Sequence, residues 1–169
     1  ESRTPLSTAY DLALLDLDGV VYISGHAVPG APEAIDAARQ AGMRIAFVTN
    51  NASRTPEKVA GNLVRLGVTA SPDQVVTSSQ AAARMLAARF PTESRVLLLG
   101  AEGLARALVE EALVPVTSPD DPEVVAVVTG YGPDVVWRDV MRVAVRIRDG
   151  LPWVATNTDL TIPTSFGVA

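Results

Sequence analysis

The sequence predicts an α/β fold in which parallel strands alternate with helices. Short apolar runs bounded by turn residues alternate along the chain with segments of helical periodicity, which is the pattern of repeated βαβ units. The first run, Leu12 to Leu15, is continuously apolar, as is typical of a strand covered on both faces of a sheet. Hydrophobic residues make up 48% of the 169 residues and aromatic residues only 5%, so we expect a core of Val, Leu and Ala.

The first part of the chain contains three predicted strands, each followed by a loop or helix. Proline is favoured at the first position of a helix, and glycine is favoured just after its last residue. We use these two residues to predict where each helix begins and ends. Ser78 or Ser79 is expected to cap the helix after the third strand. The predicted strands cover 11–16, 44–49 and 74–77, and the predicted helices begin at 32, 55–56 and 78–79 and end near Gly42, Gly67 and Arg89.

The pattern of strands and helices restarts after residues 90–94, which form a candidate domain boundary. Strands are predicted at 95–99, 123–129 and 152–156, helices at about 102–112 and 135–149, and a loop from Pro115 to Pro122. The sequence is compatible both with a separate α/β unit and with a continuation of the first sheet.

Composition and charge exclude several classes of protein. The chain has no cysteine, which excludes disulfides, thiolate metal sites and cysteine nucleophiles. With a net charge of −5 and no cluster of Lys and Arg, we expect neither a nucleic acid nor a membrane surface as a partner. No apolar stretch approaches the ~18 residues of a transmembrane helix, and residues 1–8 do not resemble a signal peptide, so we expect a cytoplasmic protein.

Polar residues follow the first two predicted strands at the point where each strand ends. Asp16, Asp18 and Gly19 follow the first strand, and Thr49-Asn50-Asn51 ends the second. If these strands are parallel neighbours, the two groups meet at one sheet edge, where open α/β folds place their ligands. Two acids this close repel each other unless a cation lies between them, and Mg²⁺ prefers such oxygen ligands. The pattern therefore predicts a site for Mg²⁺ and a phosphate group, although each motif alone also suits a solvated turn.

The two motifs resemble those of haloacid dehalogenase-like phosphatases. Asp16-Leu17-Asp18-Gly19-Val20 is similar to the first motif of that family, and Phe47-Val48-Thr49-Asn50-Asn51 to the second. Together with Tyr22 and the turn Pro29-Gly30-Ala31, these motifs resemble the branch of NagD-like and p-nitrophenylphosphatase-like enzymes with a C2-type cap. Within that branch, the chain as a whole resembles the bacterial glycerol-3-phosphate phosphatases. The resemblance implies a Rossmann-like parallel-sheet core, followed by an α/β cap domain.

The resemblance also implies an activity and a role for each motif residue. The activity is Mg²⁺-dependent hydrolysis of a small phosphorylated metabolite, with glycerol 3-phosphate or 2-phosphoglycolate as the expected substrate. Asp16 would be the nucleophile that forms an aspartyl-phosphate, and Asp18 the general acid and base. The Asp16 carboxylate and the Asp18 carbonyl would bind Mg²⁺, while Thr49, Asn50 and Gly19 would hold phosphate oxygens.

In this family a cap domain follows the second motif and its helices. The resemblance therefore implies a core over residues 1–90 and a cap, expected to be incomplete, over 91–169. Asn157 and Asp159 lie in sequence where the family's cap reaches over the active site, which makes them candidate substrate contacts. By turn preference alone they equally suit a polar turn after a strand.

The chain also departs from the family pattern. The third-motif lysine and the fourth-motif acids, usually within Gly-Asp-x-x-x-x-Asp, are absent, and Lys58 is the only lysine. We therefore expect the 169 residues to be part of a longer enzyme and incomplete alone.

Two other functions remain open at this stage. A phospho-accepting receiver domain would need an acid at the end of the third strand, which here reads Val76-Thr77-Ser78-Ser79. The missing lysine and acids leave open a catalytically inactive binding module. His26 is expected to be an exposed turn residue, and Trp137 and Trp153 to be packing anchors. The arginines of the helix over 135–149 are expected to form a solvated face or to meet a partner subunit, so a homo-oligomer is left open.

Overall fold

The structure is a computed structural model and describes residues 5–23, 25–159, 161, 163–164 and 167–168. Contacts group the described residues into two compact units. One contains those that lie within 1–49, 56–76 and 159–169, and the other contains those within 50–55 and 77–158. The division into a core over 1–90 and a cap over 91–169 stays a prediction.

The chain is an alternation of strands and helices, as predicted. Its elements are α1 (Leu6–Ala9), β1 (Leu12–Asp16), β2 (Tyr22–Ile23), β3 (His26–Ala27), α2 (Ala31–Gln40), β4 (Arg44–Thr49), α3 (Pro56–Arg65), a 3-10 turn (Pro72–Gln74), β5 (Val75–Thr77), α4 (Ser78–Ala87), β6 (Arg95–Leu99), α5 (Glu102–Glu110), β7 (Val114–Val116), β8 (Val124–Thr129), α6 (Trp137–Arg148), β9 (Trp153–Ala155), β10 (Pro163–Thr164) and β11 (Gly167–Val168).

The first sheet has the strand order β1-β4-β5, and β1 and β4 run parallel with Asp16 opposite Val48. One face of this sheet is buried, where Ile45 and Phe47 of β4 pack with Ile35 of α2 and Leu63 of α3.

The expectation that both faces of β1 are covered is wrong for this chain. Burial alternates along the strand, and Leu12 and Leu14 are 43% and 64% exposed. Val48 of β4 and Val76 of β5 are also exposed, so the uncovered face is apolar across three strands. The apolar run correctly indicated a strand, but the described helices α2 and α3 contribute to the core on one side of it only.

The second sheet is covered on both faces. Its order is β7-β6-β8-β9, and all its pairs are parallel. Leu86 of α4 and Leu104 of α5 pack with Leu98 of β6 on one side. Val143 of α6 packs with Leu97 on the other. Consecutive residues of β6 therefore reach two different cores, which explains its unbroken apolar run.

The predicted loop from Pro115 to Pro122 begins as a strand. Pro115 lies in β7, opposite Val96 of β6. Proline cannot donate to a sheet ladder and is therefore confined to positions such as an edge strand. Because β7 is the edge strand of its sheet, the proline is tolerated where the sequence alone favours a loop.

Arginine side chains hold the rest of this loop in place. Arg142 of α6 contacts the Asp120 carboxylate, and Arg146 contacts the Pro119 carbonyl. The Arg95 guanidinium of β6 donates to the Asp121 carboxylate. Arg142 and Arg146 of α6 therefore anchor the loop, whereas the sequence predicted only a solvated face or a contact with a partner subunit for these arginines.

The lowered pKa of Asp121 makes the stability that this loop contributes depend on pH. The hydrogen bond from Arg95, assisted by one from the Glu123 backbone N–H, lowers the pKa of Asp121 below its ordinary value. A carboxyl group with a lowered folded-state pKa stabilises the fold above its unfolded pKa of ~3.9. That contribution is lost as the pH falls through the lower, folded-state value.

We expect Asp121→Asn to flatten the pH dependence of stability in the acid range. The free energy of unfolding of the wild type should fall more steeply below about pH 4 than that of the variant, because only the wild type takes up the proton. Urea unfolding at a series of pH values measures this. Arg95→Met, which removes the partner, should flatten the profile in the same way, and equal slopes for the wild type and Asp121→Asn would contradict the assignment.

Candidate active site

The end of the β1–β4 pair brings the first predicted residues to one sheet edge. Asp16 is the last residue of β1, and Thr49, the last residue of β4, lies one position beyond the register partner of Asp16. The Asp16 side chain is exposed, and its Oδ1 accepts a hydrogen bond of 2.8 Å from the Leu17 N–H. Thr49 is 3% exposed and lies on the buried face of β4. A carboxylate and a hydroxyl thus occupy the same edge.

A tight turn after β1 holds Asp18. The buried Leu17 accepts hydrogen bonds at its carbonyl from the N–H groups of Val21 and Tyr22, at 2.9 and 3.1 Å. Gly19 has φ +84°, a conformation that glycine adopts without strain, and its N–H donates to the Tyr22 carbonyl at 2.8 Å. The backbone of Asp18 forms an isolated β-bridge with that of Tyr22 within this turn, and the Asp18 side chain is exposed. The turn therefore fixes the two acids one residue apart at the end of the strand.

The donor set fits a hard divalent cation. Asp16 and Asp18 supply carboxylate oxygens, and the turn adds main-chain carbonyls. Within the described ranges, no group of three or more His, Cys, Asp or Glu could hold a metal ion. Mg²⁺ nevertheless suits the pair, because it commonly binds through one or two carboxylates and keeps several waters or substrate oxygens.

The remaining residues of the second motif begin the loop over residues 50–55. The Asn51 Oδ1 accepts hydrogen bonds from the Ser53 N–H at 3.0 Å and from the Ser53 Oγ at 2.8 Å. This is an Asx turn, in which a side chain replaces a backbone acceptor. The Asn51 side chain therefore shapes the loop.

Carbonyl groups of this loop are anchored by the start of α4. The Ser78 Oγ donates to the Asn50 carbonyl at 2.8 Å, and the buried Ser79 donates to the Ala52 carbonyl at 2.8 Å. The Asn157 Nδ2 donates to the same Asn50 carbonyl at 3.4 Å. The second unit therefore brings Asn50 and Asn157 together, two residues predicted for the site from distant parts of the sequence.

The prediction that Ser78 or Ser79 caps α4 is wrong, because Thr77 is the N-cap. The Thr77 Oγ1 accepts from the Gln80 N–H, and the Gln80 side chain accepts from the Thr77 N–H. Thr-x-x-Gln is a capping box that the sequence displays. Because Thr77 caps the helix, the serine hydroxyls donate to the loop instead, which sequence reasoning missed.

Two other residues singled out in the sequence are exposed. Asp159 belongs to the first unit by its contacts. His26 is exposed in β3, within the hairpin that β2 and β3 form.

Comparison with known proteins identifies the family. The profile of the haloacid dehalogenase-like hydrolases matches residues 13–113, which is more than half of the chain. The chain belongs to the haloacid dehalogenase-like hydrolase family. The resemblance stated from the two motifs and the predicted parallel α/β fold are therefore confirmed.

Relatives within this haloacid dehalogenase-like family are named as phosphatases. The chain is 40% identical over 164 residues to D-glycerol 3-phosphate phosphatase of Mycobacterium tuberculosis, covering 96% of this chain and 45% of that protein. It is 35% identical over 159 residues to an acid sugar phosphatase of Staphylococcus aureus, covering 94% of this chain and 60% of that protein.

Solved structures similar to this chain belong to the same NagD-like and p-nitrophenylphosphatase-like branch of the family. The glycerol phosphate phosphatase of Mycobacterium tuberculosis in complex with magnesium matches with a TM-score of 0.89 at 40% identity, covering 96% of this chain and 48% of that one. The 4-nitrophenylphosphatase of Thermotoga maritima matches with a TM-score of 0.84 at 26% identity, covering 98% and 61%. The chain thus spans about half the length of the Mycobacterium tuberculosis relative. None of the helices in the described part of the chain has the length and apolar character needed to cross a membrane.

The loop over residues 50–55 leaves no room for a side chain at Gly103 of α5. The Gly103 N–H donates to the Ser53 carbonyl at 3.1 Å. A Cβ at Gly103 would lie 2.5 Å from the Arg54 carbonyl oxygen and 2.8 Å from that of Ala52. Both neighbours are backbone atoms, so the loop or the helix would have to move.

We expect Gly103→Ala to destabilise the fold by about 1–3 kcal/mol, the usual cost of overpacking. Gly61→Ala in α3 is the matched control, because its Cβ meets nothing within 4 Å and alanine favours a helix by ~1 kcal/mol. Urea unfolding measures both variants. Equal stabilisation by the two substitutions would show that the loop does not pack against α5 as described.

Proposed function

We propose that the protein containing this chain is a Mg²⁺-dependent phosphomonoester hydrolase of small phosphorylated metabolites. The observation that carries this proposal is the placement of Asp16 and Asp18 in a fixed turn at the sheet edge that Thr49 shares. Membership of a hydrolase family, with phosphatases among its relatives, supports the same reaction class.

In the proposed reaction, Asp16 and Asp18 have different roles. An Asp16 carboxylate oxygen attacks phosphorus and forms an aspartyl-phosphate, while the bond from phosphorus to the alkoxide oxygen breaks. Asp18 donates its proton to the departing alkoxide. Asp18 then takes a proton from a water molecule, which attacks phosphorus, releases inorganic phosphate and restores the Asp16 carboxylate.

The transferring phosphoryl group carries negative charge, which fixed donors must stabilise. The Thr49 hydroxyl and the Asn50 N–H are the proposed donors from the second motif. Gly19 has open space where a Cβ would lie, which supports a close approach of phosphate to the first turn. Asn51 is proposed to assist through the loop that its side chain shapes.

Mg²⁺ would be held by the Asp16 carboxylate and the Asp18 main-chain carbonyl. When bound, this ion neutralises the carboxylate and phosphate charges that would otherwise repel each other. The magnesium complex of the Mycobacterium tuberculosis relative supports the choice of metal.

The proposed substrates are glycerol 3-phosphate and 2-phosphoglycolate, with Asn157 and Asp159 as proposed contacts to the part of the substrate beyond the phosphate. The name of the Mycobacterium tuberculosis relative supports glycerol 3-phosphate. A receiver-type function is not favoured, because β5 ends at Thr77 and no acid follows it before α4.

Replacing Asp16 tests the proposed chemistry. We expect Asp16→Asn to abolish phosphate release, because an amide oxygen is a far weaker nucleophile than a carboxylate oxygen. The measurement is inorganic phosphate released from glycerol 3-phosphate and 2-phosphoglycolate, with Mg²⁺ and with EDTA. It is made on the 169-residue chain and on a chimera that continues into the C-terminal part of the Mycobacterium tuberculosis relative, since the family's third and fourth motifs lie further along.

Asp11→Asn is the matched control, because Asp11 precedes β1 at the opposite end of the strand. It should leave turnover unchanged. Turnover by Asp16→Asn close to that of the active parent would contradict the assigned nucleophile. A folded chimera that binds Mg²⁺ and releases no phosphate from either substrate would instead favour a binding module.

A further inference from the structure

The second sheet has a topological switch between the neighbouring strands β6 and β8. Helix α5 leads from β6 to β7 on one side, whereas α6 leads from β8 to β9 on the other. The two helices cover opposite faces of the sheet, since Leu104 of α5 and Val143 of α6 belong to different cores. Trp137, the first residue of α6, is exposed, so the expectation that it is a packing anchor is wrong within this chain.

Open α/β sheets bind their ligands in the crevice that such a switch leaves beyond the carboxyl ends of the strands. In this unit, that rule places the crevice between residues 100–101, which follow β6, and residues 130–132, which follow β8. We refer to the space between these two segments as the switch crevice.

A part of the chain itself occupies the switch crevice. The loop over residues 50–55 belongs to the second unit by its contacts, and its Ala52 is buried. A Cβ at Gly130 would lie 3.0 Å from the Ala52 Cβ, and a Cβ at Gly103, in the first turn of α5, would lie 2.8 Å from the Ala52 carbonyl oxygen. The absence of side chains at these two glycines therefore makes the space that Ala52 fills.

Two hydrogen bonds hold the loop in this space. The Oγ of the fully buried Ser79 donates to the Ala52 carbonyl at 2.8 Å. The Gly103 N–H donates to the Ser53 carbonyl at 3.1 Å. A buried polar group that loses its partner is costly, so these bonds oppose any displacement of the loop.

We propose that the switch crevice holds the second-motif loop in place, and that Gly130 and Ser79 are positioning residues for the Asn50 N–H. This inference rests on the proposed function, in which that N–H stabilises the transferring phosphoryl group. Ala52 lies two residues after Asn50, so a displacement of Ala52 also moves this N–H. Catalytic donors must keep their positions to within about 0.5 Å. Because the stabilisation is strongest in the transition state, a displaced loop should lower kcat more than it changes KM.

An alanine at Gly130 tests the positioning role. In the chimera described above, Gly130→Ala presses on Ala52 and should lower kcat for glycerol 3-phosphate by about tenfold, with KM nearly unchanged. Gly100→Ala is the matched control, because its Cβ would also meet the Leu104 side chain, at 3.2 Å against 3.3 Å from Gly130. None of the three nearest neighbours of that Cβ belongs to the loop, so kcat should stay at the parent value.

Rescue by exchanging the sizes of the two residues separates positioning from general destabilisation. Ala52→Gly removes the methyl group that Gly130→Ala would meet, so the double variant should recover most of the lost kcat. Ser79→Ala removes the other constraint and should also lower kcat more than it changes KM. Far-UV circular dichroism should be the same for all of these variants.

Amide hydrogen exchange measured by NMR on the 169-residue chain tests the crevice without catalysis. Exchange at residues 51–53 should be faster in Gly130→Ala than in Gly100→Ala. Equal exchange in the two variants would overturn the packing of the loop in the switch crevice. With an active parent chimera, an unchanged kcat in Gly130→Ala, or a double variant no faster than the single one, would overturn the positioning role alone. A parent chimera without phosphate release would overturn the proposed function and the positioning role with it.

Discussion

The parallel register between β1 and β4 is the constraint on which the site in the first unit depends. Asp16 opposes Val48, which places Asp16 and Thr49 at one edge and leaves Phe47 fully buried. Side chains alternate between the faces of a strand, so a slip of one residue would turn Phe47 toward solvent. The packing of Phe47 with the core thus fixes the position of the acids. A buried apolar contact therefore helps to set the positions of the two acids proposed for catalysis.

In the second unit, hydrogen bonds to main-chain carbonyls fix the shape of the loop over residues 50–55. The loop over residues 50–55 is held by serine hydroxyls at Asn50 and Ala52, and by the close approach of Gly103. The hydrogen bonds from Ser78 and Ser79 to this loop each join a neutral donor to a neutral acceptor. Each contributes about 1 kcal/mol, so the loop owes its shape to several modest contacts acting together.

Much of this organisation could be predicted from the sequence. Strands β1, β4, β5, β6, β8 and β9 follow from apolar runs, and the ends of α2, α3 and α6 follow from glycines with positive φ at 42, 67 and 150. Two motifs at consecutive strand ends were enough to indicate the family. The predictions that were wrong concern features that depend on tertiary context. Pro115 is a strand residue only because β7 is an edge strand, and the run Leu12–Leu15 does not reveal which face of β1 remains uncovered. The capping box at Thr77 is present in the sequence as Thr-x-x-Gln, but Ser78 and Ser79 are equally good N-caps by residue type alone.

The central claim, that Asp16 accepts the phosphoryl group, is tested most directly by trapping the intermediate. The chimera described above would be mixed with Mg²⁺ and glycerol 3-phosphate and quenched in acid within a single turnover. The peptide that spans β1 would then be analysed by mass spectrometry. Our account predicts a phosphoryl group on Asp16. Phosphate release with no modified peptide, or with the group on Asp18 or another residue, would contradict it.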